Sequence, residues 1–369
     1  MNSLTLYPSS WLYNAGVIGF LRSVEEVEQI STTPWLGKDG SLSLKLKFSD
    51  LNSEERYFGE RKISSIVGKS DLYKNFLQPH QKDVFKRFVK ALDSLQPAYC
   101  DICGSGRDLP EDQINAINSI DPAKSDDTRF LHRIRRFSIV NYSHLGPSPG
   151  KFPNAFWGLA QSAQICHFCS FLIIHHHLAF TPLSDGSEIF INAPSFQVMY
   201  HLNKFAREVF GALSSEEARN KRNILAMSVI EYAIKIQVTL GVWTGMNIEV
   251  VSRWGSQIEF FSLPYEAIQL LSDRHIAGIL SRIGEFAILN RVLDQDFSRL
   301  METGYRLLRI GLKPYGERGK SENQFINQTL RLEKNRRDPA RVADQIFQLC
   351  ALIEEKQNRR KAYEHIYRS

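Results

Sequence analysis

Four of the five cysteines fall into two C-x-x-C pairs, Cys100/Cys103 and Cys166/Cys169, with sixty-two residues between them. Each pair sets two thiolates on one tight turn, within reach of an ion about 2.3 Å from each sulfur, and two such turns complete a tetrahedral zinc site. The first pair has the knuckle form Tyr99-Cys100-Asp101-Ile102-Cys103-Gly104, where the glycine permits the turn, and the second reads Cys166-His167-Phe168-Cys169. The spacing is far wider than in a compact zinc ribbon, so the expected structural Zn²⁺ staples a long insertion. In a reducing compartment such pairs fit metal binding better than disulfides. A redox dithiol belongs between a strand and a helix, which neither pair clearly does, and the bland alternative is two unpaired, reduced thiol pairs. Cys350 stands alone in an apolar helical pattern and reads as a buried bystander.

With 369 residues and 43% hydrophobic side chains, the chain is long enough and apolar enough for two globular domains. The start Met1-Asn2-Ser3-Leu4-Thr5-Leu6 lacks a basic region ahead of its first apolar stretch, which argues against a secretory signal. No run reaches the roughly 18 apolar residues of a spanning helix. The expectation is a soluble, cytoplasmic protein.

A helix is predicted over Ser9 to Glu26, with Ser9 or Ser10 as N-cap and Gly16 and Gly19 marking close packing. Leu42, Leu44, Leu46 and Phe48 alternate with Ser43, Lys45, Lys47 and Ser49, the period of a half-buried strand. Shorter strands are predicted at Arg136 to Val140, Glu188 to Asn192, Ile248 to Ser252 and Gln257 to Leu263. After Pro264 the pattern turns helical only. Ile268, Leu271, Ile279, Ile283 and Phe286 share one face, and Asp338-Pro339 opens a last helix carrying Val342, Ile346, Leu349, Cys350 and Ile353. The expected architecture is an α+β body over residues 1–262, with a zinc-stapled insertion between knuckles at 100–103 and 166–169, followed by an all-α four-helix bundle over 263–369.

The formal charge of +6 lies wholly in residues 301–369, which hold fifteen basic and nine acidic side chains. There Arg336, Arg337, Arg359 and Arg360 are the expected phosphate-tracking residues of a basic helical stripe, against the alternative of a plain charged helix surface. Between the knuckles, Arg129, Arg133, Arg135 and Arg136 precede a Gly/Pro-shaped loop offering Lys151 and Asn154. Arginines beside such a loop can grip phosphates and present side chains to base edges; the bland reading is a solvated basic strand face and an ordinary turn. His175, His176 and His177 point in different directions and lack a partner motif, so they read as packed or solvated histidines. No Walker loop, dinucleotide fingerprint, nucleophile elbow or kinase set occurs. One nuclease reading remains: two knuckles around His144 and Asn154 are similar to the His-Asn-His nucleases, although Ser143 stands where that family usually has Asp and Asn154 lies twelve positions before Cys166.

The segment Tyr7-Pro8-Ser9-Ser10-Trp11-Leu12-Tyr13-Asn14-Ala15-Gly16-Val17-Ile18-Gly19-Phe20-Leu21, followed by one C-x-x-C and a distant second, resembles the CXXC-CXXC family of large subunits in type I-B CRISPR-Cas surveillance (Cascade) complexes. The motifs cover residues 7 to about 180, and the remainder is similar in architecture only. The resemblance implies a nonenzymatic subunit of an antiviral defence complex that contacts the crRNA and the subunit holding its 5′ handle. It implies recognition of the protospacer-adjacent motif in duplex DNA, assistance in R-loop formation and guidance of the displaced single strand, while base pairing to the guide supplies most of the discrimination. Implied partners are the backbone and small subunits and a downstream helicase-nuclease or transposition proteins. Internal translation from Met246 is expected to start a separate small subunit of 124 residues. The rival expectations are a zinc-knuckle His-Asn-His nuclease using His144 and a zinc-stapled protein-interaction scaffold.

Overall fold

The computed structural model describes residues 4–58, 79–138, 162–183, 186–210, 248–254, 257–263 and 265–368. The chain forms two compact units, Met1–Gly211 with Ile248–Phe261, and Ala212–Asn247 with Ser262–Ser369.

In the first unit, β1 (Leu4–Leu6) leads into helix α1 (Trp11–Val27) and then β2 (Leu42–Leu44). Leu12 through Leu21 are all buried, so α1 is covered on every side rather than along one stripe. Ser10 occupies its N-cap position without capping through its hydroxyl. Asn14 does that work instead: its Oδ1 accepts from the Ser9 N–H at 2.9 Å and its Nδ2 donates to the Ser9 carbonyl at 3.0 Å. The predicted strand from Leu42 keeps its alternation but not its length. β2 pairs antiparallel with the three residues of β1, and Phe48 opens a 3₁₀ turn whose ring packs on Phe20, Phe168 and Phe171.

Next come α2 (Ser53–Phe58), α3 (Lys82–Ala91), β3 (Gln96–Ala98), β4 (Gly106–Asp108), α4 (Glu111–Asn118), α5 (Phe130–Arg135), β5 (Arg136–Ser138), β6 (Ser162–Gln164), α6 (His167–Ile173), α7 (His176–Ala179), β7 (Thr181–Pro182), β8 (Glu188–Asn192), α8 (Phe196–Phe210), β9 (Glu249–Trp254) and β10 (Gln257–Ser262). The largest sheet has the order β10-β9-β8-β7, with β8 antiparallel to both β7 and β9. The other described sheets are two-stranded. The first knuckle joins the paired strands β3 and β4, and the second follows β6, which pairs with β5.

Helix α1 lies against α6 and α7 at backbone distance. A Cβ on Gly16 would stand 2.8 Å from the Leu172 carbonyl oxygen, and one on Gly19 only 1.9 Å from that of His175. His175 and His176 are fully buried, as packed histidines. The His175 Nε2 lies 2.9 Å from the Tyr57 hydroxyl, and the His176 Nδ1 lies 2.8 Å from the Ile173 carbonyl oxygen. Burial, followed by the nearby Arg253, holds the His176 pKa down to about 3, and burial with Arg56 holds His175 well below the usual imidazole range.

The second unit is helix-rich, with seven described helices after residue 264 in place of the expected four: α9 (Tyr265–Leu271), α10 (Arg274–Ile283), α11 (Phe286–Leu293), α12 (Phe297–Gly311), α13 (Lys320–Thr329), α14 (Glu333–Arg337) and α15 (Pro339–Arg368). The apolar face read as one helix from Ile268 to Phe286 is cut twice. The Asp273 carboxylate caps α10 by accepting from the N–H groups of His275 and Ile276, and Gly284 ends that helix in the left-handed region at φ 68°. The apolar period survives both breaks because all three helices bury the same kind of face. Glu285, itself buried, holds the turn before α14 by accepting from the backbone N–H groups of Arg331 and Leu332 and from Asn335 Nδ2. No helix among the described residues is long and apolar enough to cross a membrane.

Candidate metal centre

The first knuckle is the connection between β3 and β4. Ala98 pairs with Gly106 in that ladder, and the chain reverses through Cys100–Cys103, with the Gly104 N–H donating to the Cys100 carbonyl at 3.1 Å. Gly104 has φ 66°, a conformation that an L side chain adopts only with strain. Gly106 is required for a different reason, since a Cβ there would meet the Ala98 carbonyl oxygen at 2.6 Å.

The second knuckle is the entrance to α6. Strand β6, paired with β5, delivers the chain to Cys166, the N-cap of that helix, and Cys169 sits in its first turn. The Cys166 Sγ accepts from the Cys169 N–H at 3.3 Å, while the Cys166 N–H donates to the Cys100 Sγ at 3.4 Å. Each of these two sulfurs thus receives a backbone N–H, while hydrogen bonding with the Cys100 thiol raises the Cys166 pKa.

The four sulfurs all lie within 4.8 Å of one another. Ideal tetrahedral coordination at about 2.3 Å places sulfurs about 3.8 Å apart, so a cluster this close is compatible with one four-coordinate thiophilic ion. Cys100, Cys166 and Cys169 are buried and Cys103 is half-buried. Hydrogen bonding from the Cys103 thiol lowers the Cys100 pKa, whereas burial and then the neighbouring Cys100 sulfur raise that of Cys169. Four thiols this close do not all ionise unaided, and a divalent cation relieves that repulsion. Cys100, Cys103, Cys166 and Cys169 are thus the residues that could hold a metal. Cys350, in α15, is buried elsewhere with its thiol pKa raised by burial.

A polar brace supports the two halves. The Asp108 carboxylate accepts from the His167 backbone N–H at 2.8 Å and lies 2.9 Å from His167 Nδ1 through the same oxygen. Its other oxygen accepts from Arg135 Nη2 at 3.0 Å, and the Arg135 Nε donates to the Ile165 carbonyl at 3.0 Å. Asp108 therefore joins β4 to the first turn of α6, and Arg135 ties the end of α5 to the residue before Cys166. Burial works against the Asp108 charge, but the His167 hydrogen bonds outweigh it and lower its pKa. Asp108 and His167 were not among the predicted site residues; the available hints were an Asp five positions after Cys103 and a His inside the second C-x-x-C.

The described residues among the expected nucleic-acid contacts have the following surroundings. Arg129 is half-buried and pairs with Asp126 at 3.2 Å. Arg133 is half-buried, donating to the Thr128 carbonyl at 2.9 Å and to Gln81 Oε1 at 2.5 Å, with its guanidinium over the Phe130 ring. Arg133 and Arg135 act as cross-links of the fold, and both sit on α5 rather than on a strand. Arg136 begins β5 opposite Gln164. Lys151 and Asn154, with His144 and Met246, lie outside the described residues. In the second unit Arg336 is exposed and donates to the Leu330 carbonyl at 2.9 Å, and Arg337 forms an exposed pair with Glu333. Arg359 and Arg360 lie on α15 beyond the residues whose side chains are described.

Known proteins add no assignment to this geometry: no known family, no curated protein and no solved structure matches the chain.

Proposed function

We propose that this chain is the nonenzymatic large subunit of a crRNA-guided DNA surveillance complex, with Zn²⁺ held by Cys100, Cys103, Cys166 and Cys169 as a structural ion. In this reading the zinc supplies a four-way cross-link and no reaction step. The chain's own residues shape the body that docks on the crRNA and its neighbouring subunits, read the flanking motif in duplex DNA and steer the displaced strand.

The observation that carries the nucleic-acid half of this reading is the confinement of the whole positive charge excess to residues 301–369. These residues also carry exposed rings: Tyr305 is 63% and Tyr315 79% exposed, with the Arg318 guanidinium 5.6 Å from the Tyr315 ring centroid. Exposed rings among cations are what single-stranded nucleic acid uses, by base stacking and phosphate contact. The four-sulfur cluster supports the other half, because it brings together the two C-x-x-C pairs on which the resemblance rests.

Coexpression with a repeat-spacer transcript and the neighbouring genes tests the assignment. The expected result is copurification of a short guide RNA with a multi-copy backbone protein, and binding of single-stranded DNA that weakens steeply as salt rises. Binding that ignores salt, with no copurifying RNA, overturns it in favour of a protein scaffold. Cleavage of DNA with Mg²⁺ or Mn²⁺ that disappears in His144→Ala overturns it in favour of a nuclease.

A further inference from the structure

Helix α1 touches both halves of the cysteine cluster. At its N-terminus the Ser9 hydroxyl donates to the carbonyl of Ile102, inside the first knuckle, at 2.9 Å. Two turns later Gly16 and Gly19 rest on the backbone of α6 and α7, the first of which carries Cys169. Asn14 fixes Ser9 from both sides and donates through its Nδ2 to Asn192 Oδ1 at 2.9 Å, so the Ser9 hydroxyl is held in place.

We propose that seating of the first turns of α1 and loading of the metal are one cooperative event, with Ser9 as a positioning residue for the metal centre. The inference rests on the four cysteines binding an ion. The physical reason is the smallness of the first knuckle's support. β3 and β4 have three residues each, too few to stand as an isolated hairpin. Without a cation, the crowded thiols gain nothing by staying together, and the loop holding Ile102 is free to leave Ser9. With the cation bound, Ile102 is presented to Ser9. Groups that orient ligands in this way commonly change metal affinity by 10- to 100-fold when removed.

The test uses the full chain and Co²⁺ as the probe metal, with hydrogen–deuterium exchange as a second readout. Chelation is expected to accelerate exchange in residues 7–20 together with both knuckles, while residues 339–353 stay unchanged. Ser9→Ala is expected to weaken Co²⁺ binding about tenfold and Ser9→Thr to restore it. Knuckle peptides that loosen while residues 7–20 stay protected, or a Ser9→Ala affinity within twofold of the parent, overturn the coupling and leave the metal site standing. Absence of any thiolate-to-cobalt band overturns the metal site and the coupling with it.

Discussion

Asp108 and His167, fifty-nine positions apart, meet through a 2.8 Å hydrogen bond from the His167 backbone N–H to the Asp108 carboxylate. That contact fixes the end of β4 to the first turn of α6, and so sets the distance between the two knuckles. It also tells which surrounding groups matter to the cysteines: those that hold the two turns in register.

Asp108→Asn keeps the size of the side chain and removes its charge, so it weakens the bonds from His167 and Arg135 together. The expected outcome is metal affinity reduced 10- to 100-fold in a chelator competition. Because the folded Asp108 pKa is lowered, its stabilising contribution is present above the usual carboxylate range and is lost as pH falls through the lowered folded value. The Asn variant should lack that component of acid destabilisation. Equal chelator resistance of parent and variant would show that the brace does not orient the ligands.

Two glycines on helices should respond in opposite directions to alanine. At Gly19 the new Cβ would sit 1.9 Å from the His175 carbonyl oxygen, a backbone atom that cannot turn aside. Gly19→Ala should therefore destabilise the first unit by about 1 to 3 kcal/mol or more. Gly278, inside α10, has nothing within 4 Å of its would-be Cβ. There the better helix propensity decides, and Gly278→Ala should stabilise by about 0.5 to 1 kcal/mol. Thermal unfolding of the two variants checks both signs.

The buried histidines set a pH limit. His176 is held neutral in the fold with a pKa of about 3, against 6.5 for an ordinary imidazole. The sign follows from proton uptake: below pH 6.5 the unfolded chain binds a proton that the folded chain refuses, so stability is full above 6.5 and falls as the pH drops toward 3. The loss approaches about 1.4 kcal/mol per pH unit for each such histidine. His175 adds to it in the same direction. Denaturant titrations between pH 7 and 5 should show this slope, and it should be shallower in His176→Gln; an unchanged slope would exclude His176 as its source.

What could be read before the fold was known depended on how far the partners lie along the chain. The strand Glu188–Asn192 and the helix around Trp11 follow from a short apolar run and from helical spacing, and their residues suffice to define them. The cysteine cluster follows from chemistry, because paired thiols allow few roles. The fold contacts of Arg135 were not legible, because its partners, Asp108 and Ile165, stand 27 and 30 positions away, beyond any local pattern. Arg56 makes the same point. It follows Glu54 and Glu55 in what reads as polar surface, yet it is fully buried, pairing with Glu28 at 2.9 Å with its guanidinium over the Phe20 ring. The division of the second unit was hidden because Asp273 and Gly284 interrupt a helix without interrupting its apolar period.

The last prediction separates arginines that serve the fold from residues that would serve a ligand. Arg135→Ala should lower metal affinity and thermal stability and leave the salt dependence of single-strand binding unchanged, since its guanidinium already serves Asp108 and Ile165. Arg337→Ala removes an exposed charge whose ion pair with Glu333 is worth little in water, so the fold should not notice it. If Arg337 meets a phosphate, however, the logarithmic salt slope should flatten by about 0.7. Tyr315→Ala should act differently again, costing about 1 to 3 kcal/mol of affinity at every salt concentration, because a stacked base rather than a counterion is lost. Fluorescence anisotropy of a labelled oligothymidylate across a salt series distinguishes the three. A uniform null response of Arg337 and Tyr315, beside a normal effect of Arg135 on the metal, would place any nucleic-acid surface elsewhere on the chain.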